Sequence, residues 1–173
     1  MAIDLTLKSV QLTNRDATPK VLNNVGSGGA GVVRCVSGYI ASVTASLTTT
    51  SIIRFCEVPS GARVVDVKVF SAAQTAGKFD IGVYKNTADG GTVVDVDFFG
   101  SAIDLASAVL GTSIIQEAGS PATNSIVKMH QPLWEAAGAS TDPKSTYEIA
   151  ATCVTTDVTT GAGGFGIQVW FVL

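Results

Sequence analysis

The sequence predicts an all-β protein: a two-sheet antiparallel β-sandwich, with a jelly roll among the topologies that fit, an extended N-terminal arm and one or two short helical turns. Three observations lead there. Only 14% of the 173 residues are charged, and Gly, Ser, Thr, Ala and Val are prominent, a composition suited to pleated, half-buried surfaces. Apolar and polar residues alternate with period two in successive short runs, and those runs are separated by Gly- or Pro-bearing turns. Helical periodicity is scarce. A chain of this length fits one domain and buries roughly 70% of its unfolded surface without disulfides.

Residues 1–31 read as the arm and residues 32–173 as the sandwich. In the arm, Ile3, Leu5 and Leu7 alternate with Asp4, Thr6 and Lys8, a short strand with one apolar face. "TNRDATPK", which holds Asn14, Arg15 and Asp16, then breaks regularity. The stretch "NVGSGGAGVV" (Asn24–Val33) carries G-x-G-x-x-G spacing. A dinucleotide site would need a buried strand before it, a helix after it and an acid about 20 residues on. Here a polar, Pro-interrupted stretch precedes the glycines, β-branched residues and Gly38 follow, and the next acid is Glu57. The glycines therefore read as a joint.

Strand signals repeat from Val32. "SIIRFCEV" runs into the turn Pro59–Gly61, and "RVVDVKVF" follows, with Val65, Val67 and Val69 expected on one face. In "KFDIGVYK", Phe79, Ile81 and Val83 alternate with Asp80, Gly82 and Tyr84. "NTADGG" (Asn86–Gly91) supplies a hairpin turn, and "TVVDVDFF" returns as its partner. "TYEIAATCV" and "GFGIQVWFVL" are two further strands, the last with Phe165, Ile167, Val169, Phe171 and Leu173 in one apolar row. Helical turns are expected within Phe98–Leu110 and Gln131–Gly138, the second with Pro132 near its start and Gly138 at its end.

Reactive groups are few. The net charge is −3 and the 11 Lys and Arg are scattered singly, without the basic stripe that nucleic acid requires. The longest uncharged run, Cys35–Ile53, is too rich in Ser and Thr to span a bilayer, and the first residues carry neither a basic leader nor a long apolar stretch. Cys35, Cys56 and Cys153 form no metal spacing with the single His130 and read as buried free thiols. No Ser-His-Asp set can be assembled. Asp95 and Asp97 share a strand face, the one arrangement here that suits calcium or acid–base work, though a solvated strand face needs the same alternation. No cofactor, metal or catalytic residue is therefore assigned. Trp134, beside Leu133 and Pro132, reads as a plug at one end of the sandwich. Trp170 and Val172 lie opposite Phe171 on a face unusually apolar for an outward one, which marks a subunit interface or, alternatively, inter-sheet core.

Several stretches in order resemble a family of small proteins encoded beside the major coat protein of tailed bacteriophages. They are "LTNRDATPKVLNN" (Leu12–Asn24), "IIRFCEVPSGARVVDVKVFS" (Ile52–Ser71), "DIGVYKNTADGGTVVDVDFFGSAIDL" (Asp80–Leu105), "PLWEAAG" (Pro132–Gly138) and "DPKSTYEIAAT" (Asp142–Thr152). The resemblance implies a head decoration, or cement, protein: a homo-oligomer, dimer or trimer, that binds the major capsid protein on the outer surface of the virion. It implies no enzyme activity. The arm would make the capsid contact through Ile3, Leu5, Leu7, Asn14, Arg15 and Asp16, its reach of up to roughly 100 Å following from about 30 extended residues. The alternative is a receptor- or carbohydrate-binding sandwich displayed on the particle, with Trp134 or Trp170 stacking on sugar.

Overall fold

The computed structural model describes residues 18–19, 32–41, 47–74, 77–115, 128–154 and 163–173. The expected arm contacts Ile3, Leu5, Leu7, Asn14, Arg15 and Asp16 lie outside them. Eight strands make up the body: β1 (Val33–Ile40), β2 (Ile52–Pro59), β3 (Arg63–Ser71), β4 (Lys78–Lys85), β5 (Val93–Asp104), β6 (Val109–Ser113), β7 (Thr146–Cys153) and β8 (Phe165–Val172). They form two four-stranded sheets, ordered β1-β8-β3-β6 and β2-β7-β4-β5, with antiparallel pairing throughout. The all-β, two-sheet expectation holds.

The pairing has a simple logic. β1 pairs with β8, β2 with β7, β3 with β6 and β4 with β5, so the strands form one long antiparallel ribbon doubled back at the β4–β5 turn. β8 also pairs with β3, and β7 with β4, which rolls that ribbon into two layers. Every connection except β4–β5 therefore passes from one sheet to the other.

Alternation puts the core where the sequence placed it. Phe165, Ile167, Val169 and Phe171 of β8 are buried, as are Phe79, Ile81 and Val83 of β4. Phe165 meets Phe55 edge-on at 4.9 Å and Phe79 at 5.2 Å across the layers, geometry that aromatic quadrupoles favour. The β4–β5 turn is a short 3₁₀ segment, Thr87–Asp89, in which the Asn86 side chain accepts from the Asp89 N–H at 2.7 Å and Gly90 takes φ +93°.

Four expectations are corrected. Phe98–Leu110 is not helical: β5 runs to Asp104 and β6 begins at Val109. Pairing with β4 and the burial of Phe98 and Phe99, edge-on at 4.8 Å, outweigh the weak helical spacing. Val65 does not share a face with Val67 and Val69, because a bulge between Val64 and Asp66 turns it outward and buries Val64 instead. Leu173 is exposed rather than part of the apolar row, since it follows the last paired residue. Cys35 is exposed, on the outward face of an edge strand; Cys56 is half-buried and Cys153 buried, and no disulfide joins any two of them. A helical turn does form at α1 (Leu133–Ala136), preceded by Pro132 and followed by Gly138 at φ +86°. No helix among the described residues is long and apolar enough to cross a membrane.

Candidate functional site

Directly paired residues project from the same side of a sheet, so the register lays out the outward surface of the β1-β8-β3-β6 sheet. Val33, Val172 and Arg63 form one row across β1, β8 and β3; Cys35, Trp170 and Asp66 the next; then Ser37, Gln168 and Lys68; then Tyr39, Gly166 and Phe70. Phe70 in turn pairs with Leu110 on β6. Tyr39 is 79% exposed and Leu110 87%. Trp170 and Val172 are half-buried in the middle of this surface, as expected of outward residues on β8.

At one end the surface is hollowed. A groove of about 500 Å³ runs between Tyr39, Phe70 and Leu110, with Gly166 in its floor and Ser37 and Gln168 on its flank. Gly166 is what makes the floor low: a Cβ there would stand 2.8 Å from Tyr39 Cβ and 2.9 Å from the Gly38 carbonyl oxygen. Gly111 shapes the far wall. It takes φ +77° at the register break in the β3–β6 pairing, with the Phe70 ring 2.9 Å from where its Cβ would be. Leu110, still paired with Phe70, projects from β6 beside it. The charges toward the middle of this surface are mutually satisfied: Lys68 Nζ lies 3.8 Å from Asp66, and the Ser113 hydroxyl donates to Asp66 at 2.5 Å. The Trp170 indole nitrogen is buried without a hydrogen-bond partner among the described residues.

The opposite sheet carries a polar cluster of another kind. Arg54 on β2 pairs with Glu148 on β7, and its second amino group donates to the Gly91 carbonyl at 2.6 Å. Glu148 also accepts from the Thr87 N–H at 2.9 Å and the Thr87 hydroxyl at 3.0 Å. The Arg54 guanidinium sits 5.3 Å from the Tyr84 ring centre, and the Tyr84 and Thr152 hydroxyls are hydrogen-bonded. Burial alone would raise the Glu148 carboxyl; Arg54 and the two Thr87 donors outweigh it and hold the group below its ordinary value. This cluster ties β2, β7 and the β4–β5 turn together.

Asp95 and Asp97 do come together. Burial, and then the Asp97 carboxyl beside it, push Asp95 above the ordinary carboxyl value, with Lys128 pulling the other way. No group of three His, Cys, Asp or Glu side chains able to hold an ion occurs among the described residues. His130 is exposed at the end of the 3₁₀ turn Lys128–His130, and Trp134 packs against the core from α1.

No protein-family model and no curated protein matches the sequence. Solved structures do. One chain of the cyanophage Pam1 capsid asymmetric unit superposes with a TM-score of 0.53 at 17% identity, over 91% of this chain and 96% of that one. One chain of the capsid of Ralstonia phage GP4 superposes with a TM-score of 0.58 at 15% identity, over 83% of this chain and 85% of that one. What is shared is the fold. High coverage in both directions also makes those chains close to this one in length.

Sequence reading put Trp170 and Val172 on an outward face; that Val33, Tyr39, Phe70, Leu110 and Gly166 share that face it did not anticipate. Their strands do alternate, yet which strands lie side by side, and so which outward residues form one surface, is decided by the rolled ribbon. The one available signal was Gly166 between the core residues Phe165 and Ile167, a small residue where an outward side chain was due.

Proposed function

We propose that this chain is a virion structural protein, a decoration or cement protein that binds the outer surface of a phage head and strengthens contacts between major capsid protein subunits. The observation that carries the reading is the fold shared, over most of each chain and at similar length, with chains from two phage capsids. The strand order is, on this reading, a double Greek key wound as a jelly roll, in which only β4–β5 is a hairpin within one sheet. The outward surface of the β1-β8-β3-β6 sheet supports a role in protein contact. It exposes the apolar side chains of Val33, Tyr39, Phe70 and Leu110, Lys68 and Asp66 near its middle lie 3.8 Å apart, and the groove beside Tyr39, Phe70 and Leu110 gives it relief.

Trp170 and Val172 are then subunit contacts. The segment 1–31 reaches neighbouring subunits through Ile3, Leu5 and Leu7 as an added strand, with Asn14, Arg15 and Asp16 as its polar contacts. Such a role is mechanical and needs no reaction. Many weak contacts from a homo-oligomer sum through effective concentration.

The test is binding of the purified chain to emptied heads of its phage from which the chain has been stripped. Saturable binding, weakened when residues 1–24 are removed, is expected. Absence of binding to the heads, together with glycan-dependent binding to cells, would transfer the function to the receptor-binding alternative.

A further inference from the structure

Two four-stranded sheets have four edges, and three of them are blunted. β6 has five residues and a register break beside Gly111. β2 is bulged between Arg54 and Cys56 and ends on Pro59. β5 breaks register with β4 three times. β1 differs: it pairs with β8 without interruption over all eight residues, Val33–Ile40, and contains no proline. No main-chain hydrogen bond joins it to any described residue outside β8. A long, regular edge with no described strand on its outer side is a template for another strand.

We propose that the edge of β1 is a two-fold interface at which a second copy of this chain pairs antiparallel, fusing the β1-β8-β3-β6 sheets of two copies into one continuous sheet. The strand's own sequence fits a second copy as the occupant. The single charged residue of β1, Arg34, sits near one end, so antiparallel self-pairing places it opposite an uncharged residue and never opposite itself. Pleating fixes the register, because outward residues must face outward residues. Two central alignments satisfy this, with Val36 or with Ser37 opposite its own counterpart.

Alignment on Val36 is the better. It sets Val33, 54% exposed, against Tyr39 of the second copy, 79% exposed, and symmetry repeats the pair. An aromatic beside a β-branched residue is a favourable cross-strand pair. Arg34 then falls opposite Gly38 of the second copy, which offers no side chain to clash, and Cys35 falls opposite Ser37. Alignment on Ser37 leaves Val33 beyond the paired strand and sets Cys35 against Tyr39. The Val36-centred pairing also continues the Val33–Val172 row of one copy into the Tyr39–Gly166–Phe70 row of the other.

This deepens the homo-oligomer of the proposed function. It is tested on purified protein without heads, so that its failure and a failure to bind capsid are separate results. In a Cys56→Ala background, Ser37→Cys places a thiol directly opposite Cys35 of the second copy, within disulfide reach. Tyr39→Cys lies two residues out of line. Mild oxidation is expected to give several-fold more covalent dimer with Ser37→Cys than with Tyr39→Cys or the background alone. Equal yields, the reverse preference, or no dimer with either would overturn the pairing. Sedimentation supplies a second reading: Val33→Lys with Tyr39→Lys sets like charges opposite and is expected to give monomers, whereas Val33→Lys with Tyr39→Glu restores the dimer. The same mass for both variants would equally overturn it.

Discussion

Gly82 occupies a point where two backbones nearly touch. A Cβ there would lie 2.2 Å from the carbonyl oxygens of both Asp95 and Val96, atoms that cannot move without breaking the β4–β5 pairing. Gly82→Ala is expected to cost about 2–4 kcal/mol in urea unfolding, as overpacking against backbone does. Gly90, at φ +93° with nothing near its missing Cβ, is a control: Gly90→Ala should cost only about 1 kcal/mol, the left-handed penalty. Thiols give a second residue-scale test. Burial pushes the Cys56 thiol up to about 12, and Cys153 is buried, whereas Cys35 is exposed. A thiol-specific dye should label Cys35 in the native protein and the other two only on unfolding, because the thiolate is the reactive form.

The Arg54–Glu148–Thr87 cluster acts on elements, holding β2, β7 and the β4–β5 turn in place. The Glu148 carboxyl is held below its ordinary 4.5, so the unfolded chain takes up its proton first as acid is added. Its contribution to stability is full above the ordinary carboxyl value and is lost as pH falls through the lower, folded one. Glu148→Gln should therefore unfold more easily at neutral pH, by about 1 kcal/mol with Arg54 partly exposed, and lose less stability between neutral and acid pH than the parent. Urea midpoints across that range check both. Most elements were legible in the sequence. Strands β2, β3, β4, β7 and β8 announce themselves by alternation and by the Pro59–Gly61 and Asn86–Gly91 turns. β5 was legible only in its first part, "TVVDVDFF"; its register breaks interrupt the period beyond, and Phe98–Leu110 then imitates a weak helix. Val65 was misplaced for the same reason: a bulge inserts one residue and inverts the alternation beyond it.

At the scale of the whole molecule, the two-layer architecture followed from composition and strand count, but the ribbon that rolls β1 beside β8 and β3 beside β6 is a long-range arrangement with no local signature. The apolar surface around Tyr39, Trp170 and Leu110 was consequently visible only in part, through Trp170 and Val172. What the molecule offers is a two-sheet body whose outward β1-β8-β3-β6 surface exposes Val33, Tyr39, Phe70 and Leu110. That surface, with the capsid-chain fold, underlies the structural role proposed. The most direct measurement is a reconstruction of the intact virion at a resolution that shows side chains. The expected result is density on the outside of the shell into which β1–β8 and Trp170 fit without rearrangement, repeated over the lattice. A fully traced shell whose outer surface holds no such body would contradict the account.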